Sequence, residues 1–285
     1  MYLFIVSSLN DPIYRKVHAT KRQLLKKYNI PYTVLINHPE SDLGDTSTST
    51  LVPWEEDEIF YNGGGYNPFM AQKFLVAVKM YFRSFSSFDD VPNFIVRTNA
   101  TTYVHYPSLL ARLETLPRTR LIAGPEYGND EFVQGMVMIF SKDVLQNMLR
   151  DSTMYNKDVM SLNDDVSLSI LSKPHADRHY ISEHVVMPNE QTVNEKGLYH
   201  IHRIQPRENN KWIFRIAHYE NRDIDLENWN LLMNYYDGVQ HSTPPSSVAT
   251  ITSPSSHPSS KKRWMFFLIP ALFILVMMII LSIMN

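Results

Sequence analysis

The chain has 285 residues, no cysteine, and 27 Lys+Arg against 29 Asp+Glu. That length buries a sizeable core in one large domain or two small ones without covalent staples. Zero cysteine excludes a disulfide scaffold, a Cys-ligated zinc site and a thiol nucleophile. A net charge of −2 argues against a nucleic-acid partner held by a broad basic field.

MYLFIVSSLNDP opens the chain with a short apolar run and no basic leader, so no signal peptide is expected there. YLFIVSSL reads as a buried strand, followed by an amphipathic helix near Ile13–Tyr28 and a second strand, PYTVLIN. A polar Ser/Thr/Asp loop over 40–56 leads to a short strand, DEIFYN, and then to GGGYNP. A helix is predicted from Pro68 to about Phe85. NFIVRT is another apolar strand, and YPSLLARLETL a helix closed by Pro117. RLIAG and FVQGMVMIF read as strands, SKDVLQNML and DDVSLSIL as helices, EHVVM and LYHIHRI as further strands. A last helix falls near Asp223–Tyr236. Strands alternating with helices predict one α/β domain over 1–238 with a mixed, mainly parallel sheet.

Residues 239–260 hold 15 Ser, Thr or Pro among 22 and no acid, Lys or Arg. Such a stretch buries too little apolar area to fold, so 239–263 is expected to be a disordered linker ending in the basic cluster Lys261, Lys262 and Arg263. Fully extended, its Ser/Thr/Pro part reaches roughly 70 Å. From Trp264 to Met284 runs WMFFLIPALFILVMMIILSIM, without a charge. As a helix it measures roughly 31 Å, the thickness of a bilayer core, and predicts a transmembrane helix over 264–284. The preceding basic residues favour a single-pass, tail-anchored protein whose N-terminal domain is cytosolic. Removing the three tail cations leaves residues 1–260 at −5.

In open α/β sheets, ligands bind beyond the carboxyl ends of the strands. Ser7 and Ser8 end the first strand, Arg97 to Thr102 follow NFIV, and a turn precedes Asp164. No dinucleotide fingerprint or Walker A loop is present, and the glycines Gly63–Gly65 lack a following Lys-Ser/Thr. Lys73 falls on a helix face with Phe69, Met70, Phe74, Ala77, Val78 and Tyr81. A lysine there either snorkels to an edge or serves a buried anion such as a diphosphate. Asp164 and Asp165 suit a helix first turn, where carboxylates meet the dipole. One would suffice for that, and the second can face a cleft and take a proton from a hydroxyl. His200 and His202, read on a strand, share a face and offer two metal ligands or two structural histidines.

The ordered set RTNATTYVHYPSLLARLETLP, FVQGMVMIFSKDVLQNML, NDDVSLSIL and YHIHRI resembles the galactosyltransferase and Fringe-like branch of glycosyltransferase family thirty-one. It is most similar to divergent forms in large DNA viruses and algae. The resemblance covers about 1–238 and implies a GT-A-like, Rossmann-like nucleotide-sugar-binding domain. It implies hexose transfer from a nucleotide sugar, a UDP-sugar foremost, to a hydroxyl of a glycan or other acceptor, with inversion. Asp165 matches the family's base, with Asp164 beside it and Gly135 on the preceding Gly-containing strand near the acceptor. Ser7 and Ser8 by their strand-end position, Lys73 by its helix face, and Arg97 and Asn99 are the expected nucleotide-sugar contacts. Asn99, Ala100 and Thr101 stand where the family carries the acidic triplet that holds Mn²⁺. Asn99 offers one carbonyl oxygen to a cation, and Lys73 and Arg97 are expected to neutralise the leaving diphosphate instead. Asn99-Ala100-Thr101 is also a glycosylation sequon, expected to stay unmodified in the cytosol. The rival readings are a catalytically inactive GT-A-like module that binds a glycan or protein, and a structural membrane protein of a virion.

Overall fold

A computed structural model describes residues 1–8, 12–37, 50–55, 58–62, 70–127, 132–151, 157–185, 193–216 and 223–238. The chain divides into two compact units, Met1–His241 and Ser242–Asn285. The linker 239–263, the apolar span 264–284 and the glycines Gly63–Gly65 lie outside the described residues. Among the described residues no helix is long and apolar enough to cross a membrane.

In chain order the first unit runs β1 (Tyr2–Ser8), α1 (Pro12–Lys27), β2 (Tyr32–Asn37), β3 (Thr50–Glu55), β4 (Glu58–Asn62) and α2 (Met70–Arg83). Then come β5 (Phe94–Asn99), β6 (Thr102–Val104), α3 (Tyr106–Thr115), β7 (Leu121–Gly124), β8 (Glu126–Tyr127), β9 (Phe132–Val133) and β10 (Val137–Ser141). The remainder is α4 (Lys142–Arg150), α5 (Lys157–Met160), α6 (Asp164–Ser172), β11 (Asp177–Tyr180), β12 (His184–Val185), α7 (Ile201–Ile204), β13 (Ile213–Arg215) and α8 (Asp223–Asp237).

The main sheet has the order β11-β7-β10-β5-β1-β2-β4-β3. The pairs β11/β7, β5/β1, β1/β2 and β2/β4 are parallel, while β10 runs antiparallel to both neighbours and β3 antiparallel to β4. It is a mixed, mainly parallel α/β sheet. Successive strand residues point to opposite faces, and the chain uses both. Leu3, Ile5, Phe94, Val96, Val137 and Ile139 enter one core with Val17 and Leu24 of α1, Leu109 of α3 and Trp229 of α8. Their neighbours Phe4, Val6, Ile95, Met138 and Phe140 enter the other, with Phe74 of α2, Leu145 of α4 and Leu168 of α6. Burial on both faces explains why these strands read as continuous apolar runs.

The chain progresses from β1 through β2 to β4, then crosses back to place β5 on the other side of β1. The order therefore reverses between β1 and β5, and open α/β sheets bind ligands beyond the carboxyl ends of the strands at such a reversal. Val6 pairs with Asn99 there, and the antiparallel β10 begins beside it, with Val137 opposite Thr98. The turn before β10, which holds Gly135, is thereby delivered to the same edge.

Three readings of the sequence differ from the fold, and one strand falls where the sequence predicts no element. The polar loop expected over 40–56 contains β3, an outer strand paired only to β4. FVQGMVMIF is not one strand, because a turn at Gly135 separates β9 from β10. DRHY forms the edge strand β11, where exposed charge is tolerated and the apolar pattern is absent. LYHIHRI is not a strand. Tyr199 makes a single bridge to Val193, and Ile201–Ile204 turns as α7, ended by Gln205 in the left-handed region before Pro206. Ile201 and Ile204 stand three apart, which is helical spacing.

Candidate active site

The edge beyond β5 brings together four residues singled out from sequence. Arg97, the fourth residue of β5, is 1% exposed, and its guanidinium is directed at α6. One terminal nitrogen donates to the Gly135 carbonyl and the other pairs with the Asp164 carboxylate, whose side chain is 21% exposed. Both terminal nitrogens of Arg97 are thus engaged within the fold.

Asp165, next to Asp164 in the first turn of α6, turns elsewhere. Its Oδ2 accepts the Gly135 N–H at 3.1 Å, and its Oδ1 accepts the Val166 N–H at 2.9 Å. One helical turn on, Ser169 Oγ accepts the Val133 N–H at 3.1 Å. Two acceptors on one face of α6 therefore fasten the turn leading into β10. Glycine at 135 is a steric requirement. A β-carbon there would lie 2.6 Å from Arg97 Nη1 and 3.3 Å from the Asp165 Cβ. Adjacent carboxylates so acquire different surroundings: Asp164 meets a guanidinium, while Asp165 meets two neutral N–H donors that set its orientation. Each Asp165 oxygen keeps further acceptor capacity.

The second cluster lies under the turn from Asn99 to Thr102. Lys21 of α1 is 0% exposed, and its Nζ donates to the Asn99 carbonyl at 3.1 Å and the Thr102 carbonyl at 3.3 Å. It sits 5.4 Å from the centre of the Trp229 ring. Burial pulls its pKa down to about 7. The Asn99 carbonyl also accepts from Thr98 Oγ1 at 3.3 Å, Ala100 N–H reaches the Val6 carbonyl at 2.9 Å, and Thr101 O accepts the Ile216 N–H at 2.9 Å. What remains at Asn99-Ala100-Thr101 for a cation is one amide and one largely buried hydroxyl, with no carboxylate. This donor set does not fit a hard divalent ion, which takes six or more oxygens including carboxylates. Among the described residues no group of three His, Asp or Glu is placed to hold a metal.

The other sequence candidates fall on several elements. Ser7 is buried, its Oγ 2.5 Å from His18 Nε2, and Ser8 ends β1 beside Asn37. Lys73 is buried at 2% exposure among the apolar residues of α2, so it does not snorkel to solvent. His200 precedes α7 and lines an open cleft of about 910 Å³ with Lys196 and Arg203, whereas His202 is exposed on α7. A two-residue step on a helix sends these histidines to different faces, so the pairing expected of a strand is lost. Lys21 and His18 were missed. The signal for Lys21 was the one used for Lys73, a lysine in register with apolar residues, here Val17 four before and Leu24 three after.

No family model and no curated protein matches the chain. Among solved structures it is similar to a glycosyltransferase involved in glycosylation of the major capsid of PBCV-1, at 11% identity and a TM-score of 0.44, covering 80% of this chain and 99% of that one. It is also similar to the galactosyltransferase LgtC in complex with donor and acceptor sugar analogs, at 9% identity and a TM-score of 0.44, covering 86% and 98%. A third likeness is to the glycosyltransferase GlyE of Streptococcus pneumoniae, at 10% identity and a TM-score of 0.38, covering 83% and 63%.

Proposed function

We propose that the chain is a nucleotide-sugar-dependent glycosyltransferase that moves a hexose to a hydroxyl acceptor with inversion. Asp165 takes the proton of the acceptor hydroxyl as that oxygen attacks the anomeric carbon. The nucleoside diphosphate departs from the opposite face, which inverts the centre. Asp164, neutralised by Arg97, is a positioning residue that holds the start of α6 against β5. The observation that carries the reading is the division of labour between adjacent carboxylates at the reversal point of the sheet: one is ion-paired, the other oriented by N–H groups with acceptor capacity to spare. The sequence resemblance supports it independently. The apolar span 264–284 then anchors the domain to a membrane from the cytosolic side, where nucleotide sugars are available.

The test is turnover of UDP- and GDP-sugars by the full chain in detergent, with and without simple glycoside acceptors. Asp165→Asn is expected to lower turnover about 10²–10⁴-fold while leaving nucleotide affinity unchanged. Binding of a nucleotide without turnover in the unaltered chain favours the inactive binding module. Absence of both binding and turnover sinks the enzyme reading and leaves a glycan- or protein-binding module or a structural virion protein.

A further inference from the structure

We infer that the turn Asn99–Thr102 is held by the Lys21 side chain in the place where a divalent cation would otherwise order it, and that donor nucleotide binds beside this turn without a metal ion. The inference rests on the glycosyltransferase reading for its nucleotide, and on the turn's own hydrogen bonding for the rest.

A metal site at a strand end works by drawing several oxygens toward one positive centre. Here the backbone oxygens are already drawn to a different centre. Lys21 Nζ spans the carbonyls of Asn99 and Thr102, so one donor group closes both ends of the turn from the α1 side. Thr98 Oγ1 shares the Asn99 carbonyl, and Ile216 N–H engages Thr101 O between them. The carbonyls of Asn99, Thr101 and Thr102 are therefore engaged from within the protein. A divalent ion at Asn99 would need to strip those carbonyls from their donors or rely on the Asn99 amide and the Thr101 hydroxyl.

The Lys21 amine and the apolar floor beneath it come from two further elements. Lys21 belongs to α1 and Trp229 to α8, so the turn is braced across the layer that α1, α3 and α8 build on one face of the sheet. In this chain the bracing group is covalently resident.

Two measurements on the unaltered full chain decide the metal question. Calorimetric titration with UDP is run in EDTA and again in Mn²⁺, and the Mn²⁺ electron paramagnetic resonance signal is followed on adding protein alone. The expected result is a UDP affinity the same within about threefold in both media, and a Mn²⁺ signal that keeps its amplitude. A tightening of about tenfold or more with Mn²⁺, or loss of the Mn²⁺ signal that Asn99→Ala restores, overturns the inference. If UDP binds in neither medium, the glycosyltransferase reading fails while the resonance measurement still decides whether the turn takes a metal. The bracing itself is read in Lys21→Met by hydrogen exchange. Faster exchange confined to 98–104, with UDP affinity lowered about tenfold and not recovered by Mn²⁺, supports the role. Unchanged exchange at 98–104 overturns it.

Discussion

Gly135 donates its backbone N–H to Asp165 Oδ2 at 3.1 Å while Arg97 Nη1 occupies the space a β-carbon would need. One glycine therefore sets both the inward guanidinium and the orientation of the proposed base. Gly135→Ala is expected to displace Arg97 Nη1 or the turn, at a stability cost of about 1–3 kcal/mol. Turnover should fall more than donor affinity does, because the substitution disturbs the Asp165 carboxylate first. Thermal unfolding and steady-state rates on the same preparation check both parts.

The Arg97–Asp164 pair makes a second expectation. Removing either partner strands the other, and the two losses are not independent. A double-mutant cycle of Arg97→Met and Asp164→Asn should give a coupling of about 0.5–3 kcal/mol in urea unfolding. Arg97→Met alone should be the more damaging single change. It leaves the Gly135 carbonyl and Asp164 without their donor, whereas Asp164 is partly exposed and draws some compensation from water. Equal single effects that simply add would contradict this.

Stability should rise with pH through the neutral range. Lys21 has a folded pKa of about 7 against an ordinary 10.5, so between those values the unfolded chain holds a proton that the folded chain does not. Unfolding free energy then increases with pH across that window. His105 and His184, both lowered chiefly by burial, act in the same direction as pH rises through their ordinary range. Above about pH 10 the sign reverses, because burial raises Tyr28, Tyr103, Tyr106, Tyr199 and Tyr236 and the folded chain retains their protons. Urea midpoints from pH 6 to 11 should show a maximum near about pH 9–10, and Lys21→Met should flatten the rise below it. A midpoint that falls steadily from pH 7 would contradict this assignment.

Asp237 offers a stability test away from the site. Its buried carboxylate accepts from the Tyr28 hydroxyl and from Tyr103 Oη at 3.0 Å, and pairs with Lys27 Nζ at 3.3 Å. Asp237→Ala leaves two hydroxyls without their acceptor, each worth about 1–3 kcal/mol. Tyr28→Phe in the same background should restore part of the loss, as read by thermal unfolding.

Much of the fold was legible because the strands are buried on both faces. YLFIV, NFIV and VMIF are apolar throughout and stand out without alternation, and the helices between them carry clear apolar stripes. Where pairing rather than composition makes the element, the sequence was silent. Thr102–Val104 is a strand because Ile213–Arg215, more than a hundred residues on, lies against it. The histidines misled because their alternation in LYHIHRI imitates a strand period, while Asn228 holds the approach to them as a turn through the Tyr199 N–H and the Gly197 carbonyl. At the site, Asp165, Asp164, Gly135 and Arg97 were singled out, yet the direction of Arg97 was not legible. A cation at a strand end looks alike in sequence whether it faces a ligand or its own helix, and its pairing with Gly135 and Asp164 is visible only in the structure.

The Asp237 clamp has a mechanical consequence. It lies at the end of α8, one residue before Gly238, whose positive φ closes the helix. One carboxylate therefore ties the last turn of α8 to α1 through Lys27 and Tyr28 and to β6 through Tyr103, so the end of the last described helix is fastened to two elements far from it in the chain.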